Sequence, residues 1–281
     1  MLAWTSKDSA LISIHQLSYR YRSAARPAVD AVDLEIADGE VVAVLGANGS
    51  GKSTLAKLMG GLLLPQAGSI TVDGVATAER PRGWAMHQHV GMVFQNPQNQ
   101  IVSTVVENEV AFGLENLQAD SRAMQERVVA CLELLGLSNL RLANPHELSA
   151  GEQQRLAIAS AIAARPNHLL LDEATSLLDD QTRIDLMVTV GGLAHQLGLS
   201  VILITHRMDE VPIADRVIVL SGGQIVFQGT PDALFSEAER LPGWNLGLPP
   251  LQDLALELRT AGLPVSPGVR SVPELAAQLC P

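Results

Sequence analysis

Apolar residues recur along this chain in two rhythms. Short alternating or unbroken apolar runs predict strands at 11–21, 28–36, 41–45, 68–72, 90–94, 169–171 and 201–204, and a closing hairpin of 217–221 with 224–228 around Gly222-Gly223. Apolar positions at helical spacing predict helices over 54–64, 156–164 and 181–198. Between the strands at 90–94 and 169–171 the pattern stays helical from 101 to 136, with a clear amphipathic helix over 121–135, a cap at Asp120 or Ser121 and a stop at Gly136. Unbroken runs such as Val41-Val42-Ala43-Val44-Leu45 are what a parallel strand buried on both faces gives. The reading is an α/β chain with a helical insertion. From Gly229 the composition shifts, and prolines punctuate short helical stretches at 251–261 and 273–279, which reads as a small C-terminal appendage.

The chemistry gathers at the polar ends of the apolar runs. After the strand at 41–45 comes Gly46-Ala47-Asn48-Gly49-Ser50-Gly51-Lys52-Ser53, a G-x-x-x-x-G-K-[ST] loop leading into a helix at Thr54. Its glycines let the backbone turn tightly and aim successive N–H groups inward, and the following helix dipole adds to that anion site. Lys52 can reach outer phosphates as a point charge, and the Ser53 hydroxyl can ligate Mg²⁺. Tyr21, about twenty-five residues earlier in a chain poor in aromatics, either stacks on a purine ring or packs with Tyr19 on a sheet face.

Gln95 ends the strand at 90–94, at the edge where α/β sheets bind ligands, and can reach a metal or an attacking water; taken alone it is an ordinary loop residue. Ser149 and Gly151 open the helix that follows Leu148, either as a simple cap or as a second anion-binding end. The run at 169–171 ends in Asp172-Glu173, where one acid can hold Mg²⁺ and the next can orient or deprotonate water. His206 ends the run at 201–204 and can donate to a γ-phosphate.

A formal net charge of −11 argues against a nucleic-acid footprint. The two cysteines, Cys131 and Cys280, suggest no disulfide, in keeping with a reducing compartment. Residues 1–8 lack the charged-then-apolar order of a signal peptide, and no run of eighteen apolar residues occurs, so membrane association is expected through a partner.

In order and spacing these stretches resemble the ATP-binding-cassette ATPases over about residues 10 to 230. The resemblance is carried by the phosphate loop, Gln95, LSAGEQQR from Leu148 to Arg155, LLLDEA from Leu169 to Ala174, SLLD from Ser176 to Asp179, and His206. Ala150 stands where many members carry a second glycine. FQNPQNQ from Phe94 to Gln100, then Val110-Ala111-Phe112-Gly113-Leu114-Glu115-Asn116, is similar to the energy-coupling-factor branch, which includes cobalt-import ATPases, although that branch often has an acid in place of Gln98.

The resemblance implies a P-loop NTPase with a RecA-like parallel core, an N-terminal antiparallel β subdomain, an α-helical subdomain inserted at about 97–163, and a helical extension. ATP binding would occupy 1–228, and 229–281 would support pairing of two ATPases. It further implies Mg-ATP on residues 46–54 with Tyr21 against adenine. Ser53, Gln95 and Asp172 would surround Mg²⁺, with Glu173 as the base or water-positioning carboxylate, Gln95 assisting and His206 on the γ-phosphate. Ser149 and Gly151 would serve the nucleotide of a second ATPase subunit, identical or paralogous, and Asp179 would also be among the nucleotide-binding residues. Implied membrane partners are a transmembrane coupling protein and a small vitamin- or metal-binding subunit, at the cytoplasmic face of the membrane. Another import system is the nearest competing reading. Soluble cassette proteins of repair or translation fit less well, lacking here a long coiled coil or a second cassette. Kinases and GTPases have no use for the signature.

Overall fold

The structure, a computed structural model, describes residues 11–78, 86–115, 121–266, 269 and 271–279; the readings on residues 1–8, Asp120 and Cys280 lie outside these. Strands β1 (Ile12–Tyr19), β2 (Val29–Ile36) and β3 (Val41–Leu45) lead through the glycine-rich loop into α1 (Lys52–Met59). Next come β4 (Ala67–Val72), β5 (Val75–Ala76), β6 (Val90–Val93), α2 (Val106–Glu115), α3 (Ser121–Leu134) and α4 (Ala150–Ala163). The chain continues with β7 (His168–Asp172), α5 (Asp180–Leu197), β8 (Ser200–Ile204), β9 (Arg216–Ser221) and β10 (Gln224–Gly229), then α6 (Pro231–Ser236), α7 (Pro250–Thr260) and α8 (Val272–Leu279).

The described strands form two sheets. One has the order β10-β9-β3-β8-β7-β6, parallel except for β10, and the other is the antiparallel β2-β1-β4-β5. This is the α/β arrangement expected from the sequence, with an N-terminal antiparallel sheet. Alternation along the central strands builds its layers. Val42, Val44, Leu170 and Ile202 pack with Leu55 and Met59 of α1 and with Ile12 and Ile14 of the antiparallel sheet. Their neighbours Val41, Ala43, Leu169 and Leu203 pack with the helical side, including Val110, Leu132, Ile158 and Val190. Both faces are therefore covered, which explains the unbroken apolar runs.

A polar latch fastens the antiparallel sheet to the parallel one. Asp73, in the β4–β5 turn at a φ of 51°, lies 3.0 Å from His168 Nε2 and 2.7 Å from His89 Nδ1, and it accepts a hydrogen bond from Asn167 at 2.8 Å.

Three boundaries differ from the sequence expectation. Helix α1 stops at Met59 rather than reaching 64, because Gly60 and Gly61 turn the chain and the Leu62 and Leu63 amides both return to the Lys57 carbonyl. Residues 101–105 precede α2 as a turn, held by the Glu109 carboxylate, which accepts from the Val102 and Ser103 amides at 2.9 and 2.7 Å. The composition change at 229 also precedes the change in packing. Leu234, Phe235 and Trp244 pack against Leu45, Val217 and Val219 of the main sheet. Among the described residues beyond 246, α7 and α8, with Ala255, Val265, Val269 and Leu275, have an apolar cluster of their own. Cys131 is buried, and burial pushes its thiol up to about 11, so it packs as a small apolar residue.

Candidate active site

Strands β3, β6, β7 and β8 run parallel, so their carboxyl ends open on one edge of the sheet. Four segments far apart in sequence leave from that edge: residues 46–53, Gln95, Asp172-Glu173 and Thr205-His206.

The loop after β3 is wrapped around a lysine. Lys52 is 4% exposed, and its Nζ donates to the carbonyls of Gly46 and Ala47 at 2.8 and 3.1 Å. Burial pushes the Lys52 pKa down, while the charges of Glu173 and Asp172 oppose that shift. An ammonium so poorly hydrated gains from an added anion. The Ser50 hydroxyl, buried in the same loop, has no hydrogen-bond partner among the described residues. Gly51 takes a φ of 110°, and a Cβ there would lie 2.1 Å from the Ala28 carbonyl oxygen. The start of α1 is thereby held against the segment before β2.

A cavity of about 340 Å³ opens over this loop. It is lined by Tyr21 and Ala28, by Asn48, Gly49 and Gly51, by Lys52, Ser53 and Thr54 at the helix start, and by Glu173. Tyr21 stands in this wall and also packs with Tyr19, so each of its two readings has a contact here. Its ring meets Tyr19 edge-on at 5.1 Å, and its hydroxyl lies 3.3 Å from Thr54 Oγ1.

The acids stand beside the loop. Ser53 Oγ donates to Asp172 Oδ1 at 2.9 Å. Burial pushes the Asp172 carboxyl up, and the Ser53 hydrogen bond opposes it. The Ser53 hydroxyl and the Asp172 carboxylate stand together, and the exposed Gln95 leaves the same sheet edge after β6; all three offer oxygen donors, the type that suits a hard divalent cation such as Mg²⁺. Glu173 has a φ of 52°, a left-handed backbone uncommon for a residue with a side chain. Its amide still donates to the Ile204 carbonyl at 2.9 Å, so the β7–β8 ladder reaches its last bond before the chain turns. Glu173 Oε1 lies 4.0 Å from Lys52 Nζ and 3.5 Å from Nδ1 of the half-exposed His206.

The remaining sequence-chosen residues, Ser149, Gly151 and Asp179, form a second group; like Gln95, Asp172 and His206 they are not part of the lining of this cavity. Ser149 caps α4 in a reciprocal box: Glu152 N donates to Ser149 Oγ at 3.4 Å, and the Glu152 carboxylate accepts from Ser149 N at 2.8 Å and from Ser149 Oγ at 2.7 Å. Gly151 is packed closely, since a Cβ would come within 2.4 Å of Thr182 Cγ2. Asp179 caps α5, accepting from the Thr182 amide at 3.0 Å and from its hydroxyl at 2.6 Å. The amino ends of α4 and α5 therefore meet at Thr182.

Sequence reasoning missed Ala28, Thr182, Thr175 and Glu210. Ala28 acts through a backbone carbonyl and carries no side-chain signal. Glu210 did carry one: an acid set between Met208 and Val211, both of which are buried.

The family model for ABC transporter proteins matches residues 29–176. The energy-coupling factor transporter ATP-binding protein EcfA1 of Symbiobacterium thermophilum is 47% identical over 255 residues, spanning 91% of this chain and 89% of that protein. Its counterpart in Clostridium perfringens is 41% identical over 274 residues, spanning 96% and 98%. Among solved structures, CbiO1 from Clostridium perfringens, described as part of the ABC transporter complex cbiONQ, superposes with a TM-score of 0.77 at 32% identity, covering 91% of this chain and 98% of that one. The dimeric cassette MJ0796, in a post-hydrolysis state bound to ADP and Pi, superposes with a TM-score of 0.71 at 27% identity, covering 78% and 98%.

Proposed function

This chain belongs to the ABC transporter family as an ATPase of the energy-coupling-factor type, and from that premise we propose that it drives import of a vitamin or transition-metal ion by binding and hydrolysing Mg-ATP at the interface of two ATPase subunits. The observation that carries the reading is the separation of the two polar groups. One chain offers a phosphate loop with carboxylate, imidazole and cation donors, while Ser149, Gly151 and Asp179 gather at the joined ends of α4 and α5, and none of the three hydrogen-bonds to the phosphate loop or lines its cavity. A partner chain, identical or paralogous, completes each site with that second group.

In this reading the adenine rests on Tyr21, and residues 46–54 wrap the phosphates with Lys52 at the outer ones. Ser53, Asp172 and Gln95 would hold Mg²⁺, which neutralises charge on the phosphate oxygens. Glu173 orients and deprotonates the attacking water, and His206 donates to the γ-phosphate. The Ser149 hydroxyl and the amides at the start of α4 face the same γ-phosphate from the opposite subunit. ATP thus joins the two subunits, and hydrolysis removes the bridge.

No described helix is long and apolar enough to cross a membrane, so movement of a solute requires membrane partners. A groove between β6 and the helical subdomain supports their docking. It is lined by Leu62, Phe94, Ile101 and Phe112, of which Leu62 and Phe112 are about half exposed, and it adjoins Gln95. A transmembrane coupling protein seated there holds the ATPase at the cytoplasmic face as a peripheral subunit, and a small membrane subunit binds the solute.

The test is purification of the full-length protein from detergent-solubilised membranes. A transmembrane coupling protein and a small integral membrane protein are expected to accompany it at fixed stoichiometry. Recovery of an active ATPase with no integral membrane protein would overturn the import reading.

A further inference from the structure

The loops bearing Glu173 and His206 are joined behind the site by one buried acid. Glu210 is 1% exposed and accepts a hydrogen bond from the hydroxyl of Thr175, itself 1% exposed. Thr175 lies two residues after Glu173. On the other side, Glu210 sits on the turn Met208–Ile213 that follows His206, and its amide donates to the Arg207 carbonyl at 3.4 Å; its second carboxyl oxygen has no hydrogen-bond partner among the described residues. Thr205 immediately precedes His206, and its Oγ1 accepts from the Arg207 amide at 3.0 Å.

Outside this centre, Asp209 pairs with Arg183 at 2.8 Å and with Arg207 at 3.2 Å, and Asp180, in the first turn of α5, lies 3.2 Å from both arginines. The charged groups therefore clamp the segment after His206 to the start of α5.

A carboxylate buried this deeply is costly, and an amide or an apolar residue would fill the space at less cost. Its Oε1 holds the Glu173 segment through Thr175 while its own backbone continues the His206 segment, and the relative position of those two segments sets the 3.5 Å separation between Glu173 Oε1 and His206 Nδ1. We propose that Glu210, carried on the turn that follows His206, is a positioning residue for hydrolysis, fixing the Glu173 segment against the His206 segment through Thr175. It is 1% exposed and does not line the cavity over the phosphate loop. This inference rests on the roles given above to Glu173 and His206. It adds that their spacing is imposed from 210, not by their own loops alone.

The experiment measures kcat and KM for Mg-ATP, together with nucleotide affinity and Tm, on the full-length chain. The variants are Glu210→Gln, Thr175→Val, their combination, Glu210→Asp and, as a reference, Glu173→Gln. Displacing a positioned group by a fraction of an ångström is expected to lower kcat about tenfold to a hundredfold in Glu210→Gln and in Thr175→Val. KM and affinity are expected to stay within about threefold, because the phosphate loop is untouched. The double variant is expected to lose no more than the worse single one, since both changes break the same link. Glu210→Asp, which keeps the charge on a shorter arm, is expected to recover part of kcat.

Wild-type kcat in both single variants, additive losses in the double variant, or equal falls in affinity and kcat with a collapsed Tm would each overturn the proposal. If Glu173→Gln turns over normally, the underlying assignment of Glu173 fails. If Glu173→Gln is inactive while the Glu210 and Thr175 variants are unimpaired, only the positioning role fails.

Discussion

Glu173 and His206 meet across the mouth of the phosphate loop, with Oε1 of the carboxylate 3.5 Å from Nδ1 of the imidazole and 4.0 Å from the Lys52 ammonium. One carboxylate oxygen thus stands between the ammonium and the imidazole, the two groups that the proposed function assigns to the phosphates. Glu173→Gln preserves size and removes the base. The expected outcome is nucleotide affinity within about threefold of wild type and kcat lowered by roughly a hundredfold or more, the usual range for losing a positioned general base. Under the proposed function hydrolysis separates the subunits, so ATP should also hold this variant as a dimer. Light scattering with Mg-ATP checks this, and a persistent monomer with normal turnover would refute the role.

Ser149 has two duties, which substitutions can separate. As the cap of α4 its hydroxyl sits in a reciprocal box with Glu152, so Ser149→Ala should cost about 1 kcal/mol of stability whatever else it does. Asp is an equally good cap but places a negative charge where a partner's γ-phosphate would lie. Ser149→Asp is therefore expected to keep Tm near wild type, to leave nucleotide affinity of the isolated chain intact, and to abolish most hydrolysis. Steady-state ATPase beside a Tm measurement reads both. Undiminished hydrolysis in Ser149→Asp would contradict the role across the interface.

Much of this was legible from side-chain order alone, for a physical reason. Strands covered on both faces must be apolar throughout, so β3, β7 and β8 stand out, and the polar residues at their ends are pinned to one edge. Lys52, Asp172, Glu173 and His206 could be placed together on that ground. Contacts made by backbone atoms or across unrelated segments left no such trace. The Ala28 carbonyl against Gly51, the junction at Thr182 and the Asp73 latch each join positions whose sequence spacing carries no periodic signal. The end of α1 was misjudged because Leu62, Leu63 and Leu64 continue the apolar rhythm after the backbone has already turned at Gly60-Gly61.

Gly51 offers a test of the phosphate loop that leaves every charged group in place. A methyl at this position would face the Ala28 carbonyl oxygen at 2.1 Å, and the φ of 110° disfavours any side chain. Gly51→Ala must shift either the loop or the segment before β2. ATP at 100 times its Kd should stabilise the wild-type chain by about 2.7 kcal/mol, seen as a rise in Tm. In Gly51→Ala that rise is expected to vanish, while far-UV circular dichroism still reports a folded chain. A full ATP-dependent shift in the variant would mean that the loop does not bind the phosphates in this conformation.

Asp73 should make stability depend on acid pH. Burial alone would push its carboxyl up, but hydrogen bonds from His168, His89 and Asn167 more than reverse this and hold it well below the usual carboxylate range. An acid whose folded pKa is depressed binds its proton more readily when unfolded. Its contribution is therefore complete above the unfolded value of about 3.9 and is lost as pH falls below that toward the folded value. Asp73→Asn removes the charge from a buried hydrogen-bonded cluster that includes the fully buried His168, and is expected to cost about 3 kcal/mol at pH 7. The gap between wild type and variant should narrow below about pH 4, where the unfolded Asp73 takes up its proton before the folded one. Urea unfolding of both proteins at pH 7, 5, 4 and 3, compared as differences so that other carboxylates cancel, measures it. A gap that stays constant down to pH 3 would mean that the latch holds the two sheets without relying on the charge of Asp73.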